Sequence, residues 1–163
     1  MALDRRTFLG LTGVALCGGV AFMVGGRPLE AQQGRFAFTL TDAQWRQRLN
    51  PQQYAVLRGH ATERAGTSPL DNEHRRGTFQ CAGCGHPLFS SRTKFDSGTG
   101  WPSFWQPLPR AVGTRQDRTL MMARTEVHCA RCGGHLGHVF PDGPPPTGQR
   151  YCMNGVAMTF RPA

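Results

Sequence analysis

The residues able to do chemistry crowd into one stretch, Cys129 to Asn154. It opens with Cys129-Ala-Arg-Cys132, continues through His135-Leu-Gly-His138-Val-Phe140 and a proline-rich turn, and closes with Gln149-Arg150-Tyr151-Cys152-Met153-Asn154. Cys152 belongs to no CxxC pair. Read as a strand, residues 150–154 alternate with period two, which places Arg150, Cys152 and Asn154 on one face and Tyr151 and Met153 on the other. A thiol reacts as its thiolate, and a neighbouring guanidinium favours that charged form. Cys152 is therefore the candidate nucleophile. His135 and His138 are three apart, which on an ideal strand would put them on opposite faces. Gly134 and Gly137 give the freedom for a bulge that turns both toward one site.

A second constellation points to a metal. Cys81-Ala-Gly-Cys84 and Cys129-Ala-Arg-Cys132 are two knuckles with glycine near each. Four cysteine ligands close a tetrahedral sphere, as in structural rather than catalytic zinc, so one Zn²⁺ is expected on Cys81, Cys84, Cys129 and Cys132. The pairs lie far apart in sequence, so whole strands must run between them and the ion clamps two distant parts of the fold. The competing reading is two disulfides in an oxidising compartment. His86 and His128 flank the knuckles and are expected to stand outside the ligand set.

These residues need elements to position them. Thr41 before Asp42-Ala-Gln-Trp45, and Asn50-Pro51 before Gln-Gln-Tyr54, are helix N-cap signals, the second with proline at the first helical position. Two short helices follow, with Trp45, Leu49, Tyr54 and Leu57 as apolar faces for packing on a sheet. Residues 59–76 show no period and read as an irregular arm. From Gly77 onward short β-runs are expected at 78–80, 87–89, 112–115, 120–127, 136–140, 149–153 and 156–160, most of them separated by Gly, Pro, Asn or Asp. The fold class is thus mainly β (α+β): two small antiparallel sheets with short N-terminal helices, clamped by the four-cysteine site.

The chain has 163 residues, of which 21 are glycine and 12 proline, so it holds one modest core built from turns and short strands. Its formal net charge is +9, but Lys94 is the only lysine and the arginines are scattered. That pattern describes a solvated surface rather than a phosphate-binding groove, and no nucleic-acid partner is expected. Residues 1–31 carry Arg5-Arg6-Thr7-Phe8-Leu9 and then a glycine-rich apolar run, the marks of an export signal resembling the twin-arginine motif. Periplasmic delivery is expected, with 32–163 as the functional domain; retention of the apolar run would instead anchor the chain in the inner membrane. Cys17 lies within that run and is not expected to take part in chemistry.

The run His-Leu-Gly-His-Val-Phe, then Pro-Asp-Gly-Pro and Arg-Tyr-Cys-Met-Asn, resembles the C-terminal signature of the B-type peptide methionine sulfoxide reductases. The likeness extends upstream through Phe95-Asp-Ser-Gly-Thr-Gly-Trp101-Pro-Ser-Phe104 and the CxxC pairs, covering roughly residues 40–160 in order. The resemblance implies reduction of peptide methionine (R)-S-oxide, and a monomer is expected. Cys152 attacks the sulfoxide sulfur and becomes a sulfenic acid, and Arg150 and Asn154 support the thiolate. His138, with His135, serves as the acid for the departing oxygen. It also implies that Trp101 helps form the pocket for the substrate methyl, whereas Phe104 and Trp105 are read as structural.

Two departures matter. Many family members carry a resolving cysteine where this chain has Thr99, so an external thiol or a thioredoxin-like reductant is expected to recycle Cys152. The family's Ser-x-Ser-Leu is replaced by Gly155-Val156-Ala157-Met158, which alters the surroundings of Cys152. A zinc-ribbon binding module would account for the four cysteines and the charge, but gives no reason for Arg150-Tyr151-Cys152-Met153-Asn154. A general thiol oxidoreductase would want a redox CxxC opening a helix, and both pairs here stand in glycine-rich knuckles.

Overall fold

Each helix starts where a side chain can satisfy its orphan amides. In the computed structural model, which describes residues 36–118 and 123–163, Thr41 Oγ1 accepts from the Gln44 amide while the Gln44 side chain accepts from the Thr41 amide. Asn50 and Gln53 repeat this reciprocal cap, with Pro51 in the first turn. Helices α1 (Asp42–Arg48) and α2 (Pro51–Leu57) have only 7 residues each, too few to stand alone in water. Packing holds them: Trp45, Leu49, Val56 and Leu57 are buried in the common core. The arm over 59–76 has no helix or strand, as expected. Among the described residues no helix is long and apolar enough to cross a membrane. The export segment expected over 1–31, Cys17 within it, and residues 120–122 of the run predicted over 120–127 lie outside the described residues.

Among the described residues nine strands follow: β1 (Gly77–Cys81), β2 (Pro87–Ser90), β3 (Lys94–Phe95), β4 (Ser103–Phe104), β5 (Val112–Asp117), β6 (Arg124–Cys129), β7 (His135–Phe140), β8 (Arg150–Met153) and β9 (Met158–Pro162). They form two antiparallel sheets, one ordered β2-β1-β9 and the other β3-β4-β8-β7-β6-β5. The expected fold class is therefore found. Phe79 and Phe89 from the small sheet meet Phe104 from the large one, Phe89 stacking on it at 4.3 Å between ring centroids and Phe79 edge-on at 4.9 Å. All three are fully buried, so aromatic packing joins the sheets, and Phe104 is structural as read from the sequence.

The structure corrects three local readings. The run expected over 156–160 starts two residues late, because Gly155–Ala157 form a 3₁₀ turn before β9. The Glu63 carboxylate accepts from the Gly155 and Val156 amides, donors that a strand would offer to a neighbour. Strands β3 and β4 were not anticipated. The strand read over 120–127 is observed from Arg124 to Cys129.

Candidate active site

Strand β8 lies between β4 and β7, and Cys152 sits opposite Ser103 on one side and His138 on the other. Alternation sends Tyr151 toward Phe89 and buries Met153, leaving Arg150 and half-buried Cys152 on the remaining face. Gly137 permits this pairing: a Cβ there would lie 2.2 Å from the Cys152 carbonyl oxygen. Thr99 Oγ1 stands 3.9 Å from Cys152 Sγ, and Ser97 links it to Ser103 through hydroxyl contacts of 2.8 and 2.7 Å.

Asn154 does not join this face as expected. The strand ends at Met153, and Asn154 turns inward at 3% exposure. Its amide donates to the Leu136 carbonyl at 3.0 Å, and its oxygen accepts from the Glu63 amide at 2.9 Å. The Glu63 carbonyl in turn accepts from Trp101 Nε1 at 3.1 Å. Asn154 and Trp101 are thus tied to the irregular arm through one residue, and the arm is fastened beside the thiol. Residues 59–76 read as an irregular arm in the sequence; the fold makes Glu63 its fastening point.

Arg150 lies beside Cys152 and has a second partner. Its guanidinium makes a two-pronged ion pair with Asp142, at 2.9 and 2.8 Å, and lies over the Phe140 ring. Burial pushes the Cys152 thiol up, and this outweighs the downward pull of the Thr99 hydrogen bond and the Arg150 charge. Arg150 pulls the thiol pKa down, as expected of a neighbouring guanidinium, and burial works against it.

The two histidines do come together. Between β6 and β7 the register runs from Val127↔Gly137 to His128↔His135, so Leu136 is an extra residue, the bulge that the glycines allow. His135 and His138 then lie 5.4 Å apart between ring centroids. His135 Nδ1 meets Glu126 Oε1 at 2.8 Å, and His138 Nε2 meets Asp117 Oδ2 at the same distance. Burial pulls His138 down against the opposing Asp117 hydrogen bond. Glu126, Asp117 and His60, whose ring lies 5.0 Å from that of His135, were not singled out in the sequence. Only the strand register, which pairs Arg115 with Glu126 and Asp117 with Arg124, reveals the two carboxylates, and only the path of the arm brings in His60.

The four knuckle cysteines also converge. Cys81 and Cys132 sulfurs are 3.7 Å apart, and Cys84 and Cys129 sulfurs 3.6 Å apart, all four side chains being buried. A tetrahedral ion with bonds of about 2.3 Å to sulfur sets sulfurs about 3.8 Å apart, whereas a disulfide needs about 2.05 Å. The donor set therefore fits one thiophilic tetrahedral ion, and no disulfide joins the described cysteines. Each knuckle turns identically: Gly85 and Gly133 adopt φ of 71° and 69°, and their amides return to the Cys81 and Cys129 carbonyls at 2.8 Å. Neither His86 nor His128 joins the four sulfurs.

Known proteins bear on this geometry. The SelR domain model matches residues 49–162. A protein from Agrobacterium fabrum, named peptide methionine sulfoxide reductase MsrB, is 58% identical over 123 residues, which cover 75% of this chain and 91% of that protein. One of the same name from Thiobacillus denitrificans is also 58% identical over 123 residues, covering 75% and 93%. A third, from Leifsonia xyli, is 51% identical over 136 residues, covering 82% and 98%. The match spans the knuckles, the paired histidines and the strand that carries Cys152, and on it the chain belongs to the SelR domain family.

Proposed function

We propose that this chain reduces methionine sulfoxide in peptides and proteins, taking the R epimer, with Cys152 as nucleophile. One observation carries the reading: among the described residues Cys152 is the only cysteine outside the four-sulfur cluster, and it is half-buried opposite His138. In the chemical step the Cys152 thiol and the sulfoxide become a sulfenic acid and a thioether. Oxygen and two oxidising equivalents pass from substrate sulfur to Cys152 sulfur, with no net proton consumed. The departing oxygen needs a proton and the attacking thiol must lose one, so a raised thiol pKa suits a shuttle between them. His138, held neutral at rest by burial, takes the Cys152 proton and returns it to the oxygen. His135 assists, Arg150 and Thr99 favour the thiolate, and Trp101 lines the methyl pocket.

The sulfenic acid then meets an external thiol, giving a mixed disulfide and water, and a second thiol releases Cys152 as thiol. Thr99 stands where a partner thiol would have to be, and its hydroxyl cannot form a disulfide. The four clustered sulfurs hold a structural Zn²⁺ that takes no part in the steps.

Racemic N-blocked methionine sulfoxide with dithiothreitol tests the reading. The expected result is consumption of half the sulfoxide, the R epimer alone, and none by Cys152→Ser; undiminished turnover by that variant would overturn it. We further infer export, on Arg5-Arg6 and the apolar run after them. Replacing both arginines with lysine is expected to leave the chain in the cytoplasm, and unchanged delivery would remove the twin-arginine route.

A further inference from the structure

Strands β5 and β6 set two arginine–carboxylate pairs directly opposite one another. Arg115 faces Glu126, and two residues on Asp117 faces Arg124, with the orientation of the pair reversed. Arg115 reaches both Glu126 oxygens, and Arg124 Nη2 reaches Asp117 Oδ2 at 2.8 Å. Each carboxylate then extends to β7, Glu126 to Nδ1 of His135 and Asp117 to Nε2 of His138, both at 2.8 Å. A carboxylate only accepts, so the ring nitrogen facing it carries the hydrogen. The two rings are gripped by different nitrogens.

We propose that Glu126 and Asp117 are positioning residues that lock His135 and His138 in opposite tautomers, Nδ1–H and Nε2–H, so that His135 exchanges protons at Nε2 and His138 at Nδ1. The role rests on the reductase reading above; the tautomers do not. His135 Nε2 fits the assignment, being buried with no hydrogen-bond partner among the described residues, as a nitrogen that bears no hydrogen can be. Glu126 is 3% exposed and still charged: burial pulls its pKa up, but the hydrogen bonds of His135, His60 and Arg115 together hold it well below the carboxylate range. The nitrogens of His60 and His135 and an oxygen of Glu126 lie close enough together to suggest a cation site. Arg115 already supplies the positive charge there, so the cluster orients an imidazole rather than gripping a metal.

The groups facing His135 are Glu126 from β6, Arg115 from β5, His60 from the arm and His138 from its own strand. Those facing His138 are Asp117 from β5, Arg124 from β6, His135 from its own strand and Cys152 from β8. Replacing Asp117 by Asn offers His138 an amide that can rotate to donate as well as accept, so the tautomer constraint is lost while shape is kept.

The test is ¹⁵N nuclear magnetic resonance of histidine-labelled, zinc-loaded protein, well above the ordinary histidine pKa of about 6.5. The expected spectrum shows His135 as Nδ1–H and His138 as Nε2–H. In Asp117→Asn, His138 becomes a tautomer mixture, His135 is unchanged, and kcat falls about 10- to 100-fold with KM held, the scale of an orienting carboxylate. Glu126→Gln does the converse. The same tautomer on both rings of the wild type, or a folded variant with unchanged tautomers and kcat, overturns the proposal. If Glu126→Gln does not fold, the wild-type spectrum and Asp117→Asn decide. Failure of the reductase reading shows separately, as turnover that survives Cys152→Ser.

Discussion

Cys152 shows how residue type and setting pull in opposite directions. A cation two residues away and a hydroxyl at 3.9 Å both favour its thiolate, yet burial costs the charged form more than they return. Arg150 is also shared, since Asp142 holds its guanidinium on two sides. The thiol is therefore expected to titrate above the ordinary value of about 8.5. Its alkylation by iodoacetamide should keep rising with pH past that value, and Arg150→Met should move the curve higher still, because losing a nearby positive charge disfavours the thiolate. A wild-type midpoint below about 8.5 would show that the guanidinium and hydroxyl win over burial. The raised value fits a nucleophile whose own proton is used in the step, rather than one kept permanently ionised.

At the scale of elements, what was legible in the sequence was local. Thr41 and Asn50-Pro51 announced both helices because a cap is decided within one turn, and the period-two reading placed Arg150 beside Cys152 because alternation belongs to any strand. What depends on pairing was hidden. Two-residue strands such as Lys94–Phe95 exist through their neighbours, and Glu126 meets His135 only after β6 and β7 have chosen a bulged register. Asn154 was misplaced for a similar reason: Glu63, distant in sequence, takes the amides that would have prolonged the strand arrangement. The family's serine at position 155 is glycine here, and the fold supplies a reason. A Cβ on Gly155 would fall 1.8 Å from Ser68 Oγ, and buried Ser68 fills the space. Gly155→Ser is expected to destabilise the chain by about 1–3 kcal/mol through overpacking. Adding Ser68→Gly should recover much of that loss, a coupling of about 1 kcal/mol or more by urea unfolding. Additive effects would mean that the two residues do not share the space.

Over the whole molecule, the small sheet and the large sheet meet in two places. One is the aromatic layer of Phe79, Phe89 and Phe104; the other is the sulfur cluster, to which Cys81 comes from the end of β1 and Cys129 from the end of β6. The helices close over the second junction, since Trp45 and Leu57 pack on Gly83 of one knuckle and Leu57 on Gly134 beside the other. An ion here would join both sheets, and its loss would leave four thiols crowded at the centre with nothing to bind. Structural zinc contributes about 10–16 kcal/mol of apparent binding energy in zinc-finger peptides, comparable to the roughly 5–15 kcal/mol by which most domains are stable. The purified chain is accordingly expected to carry one zinc, and either a strong chelator or Cys84→Ser should abolish cooperative unfolding instead of lowering kcat in a folded protein. Cys152→Ser, by contrast, should keep its zinc and its thermal midpoint while losing turnover. Metal analysis and thermal unfolding on the three proteins separate the role of the sulfur cluster from that of Cys152. A metal-free chain with an unchanged midpoint would show that the aromatic layer alone holds the sheets together, and two disulfides found by mass would show that covalent bridges replace the ion.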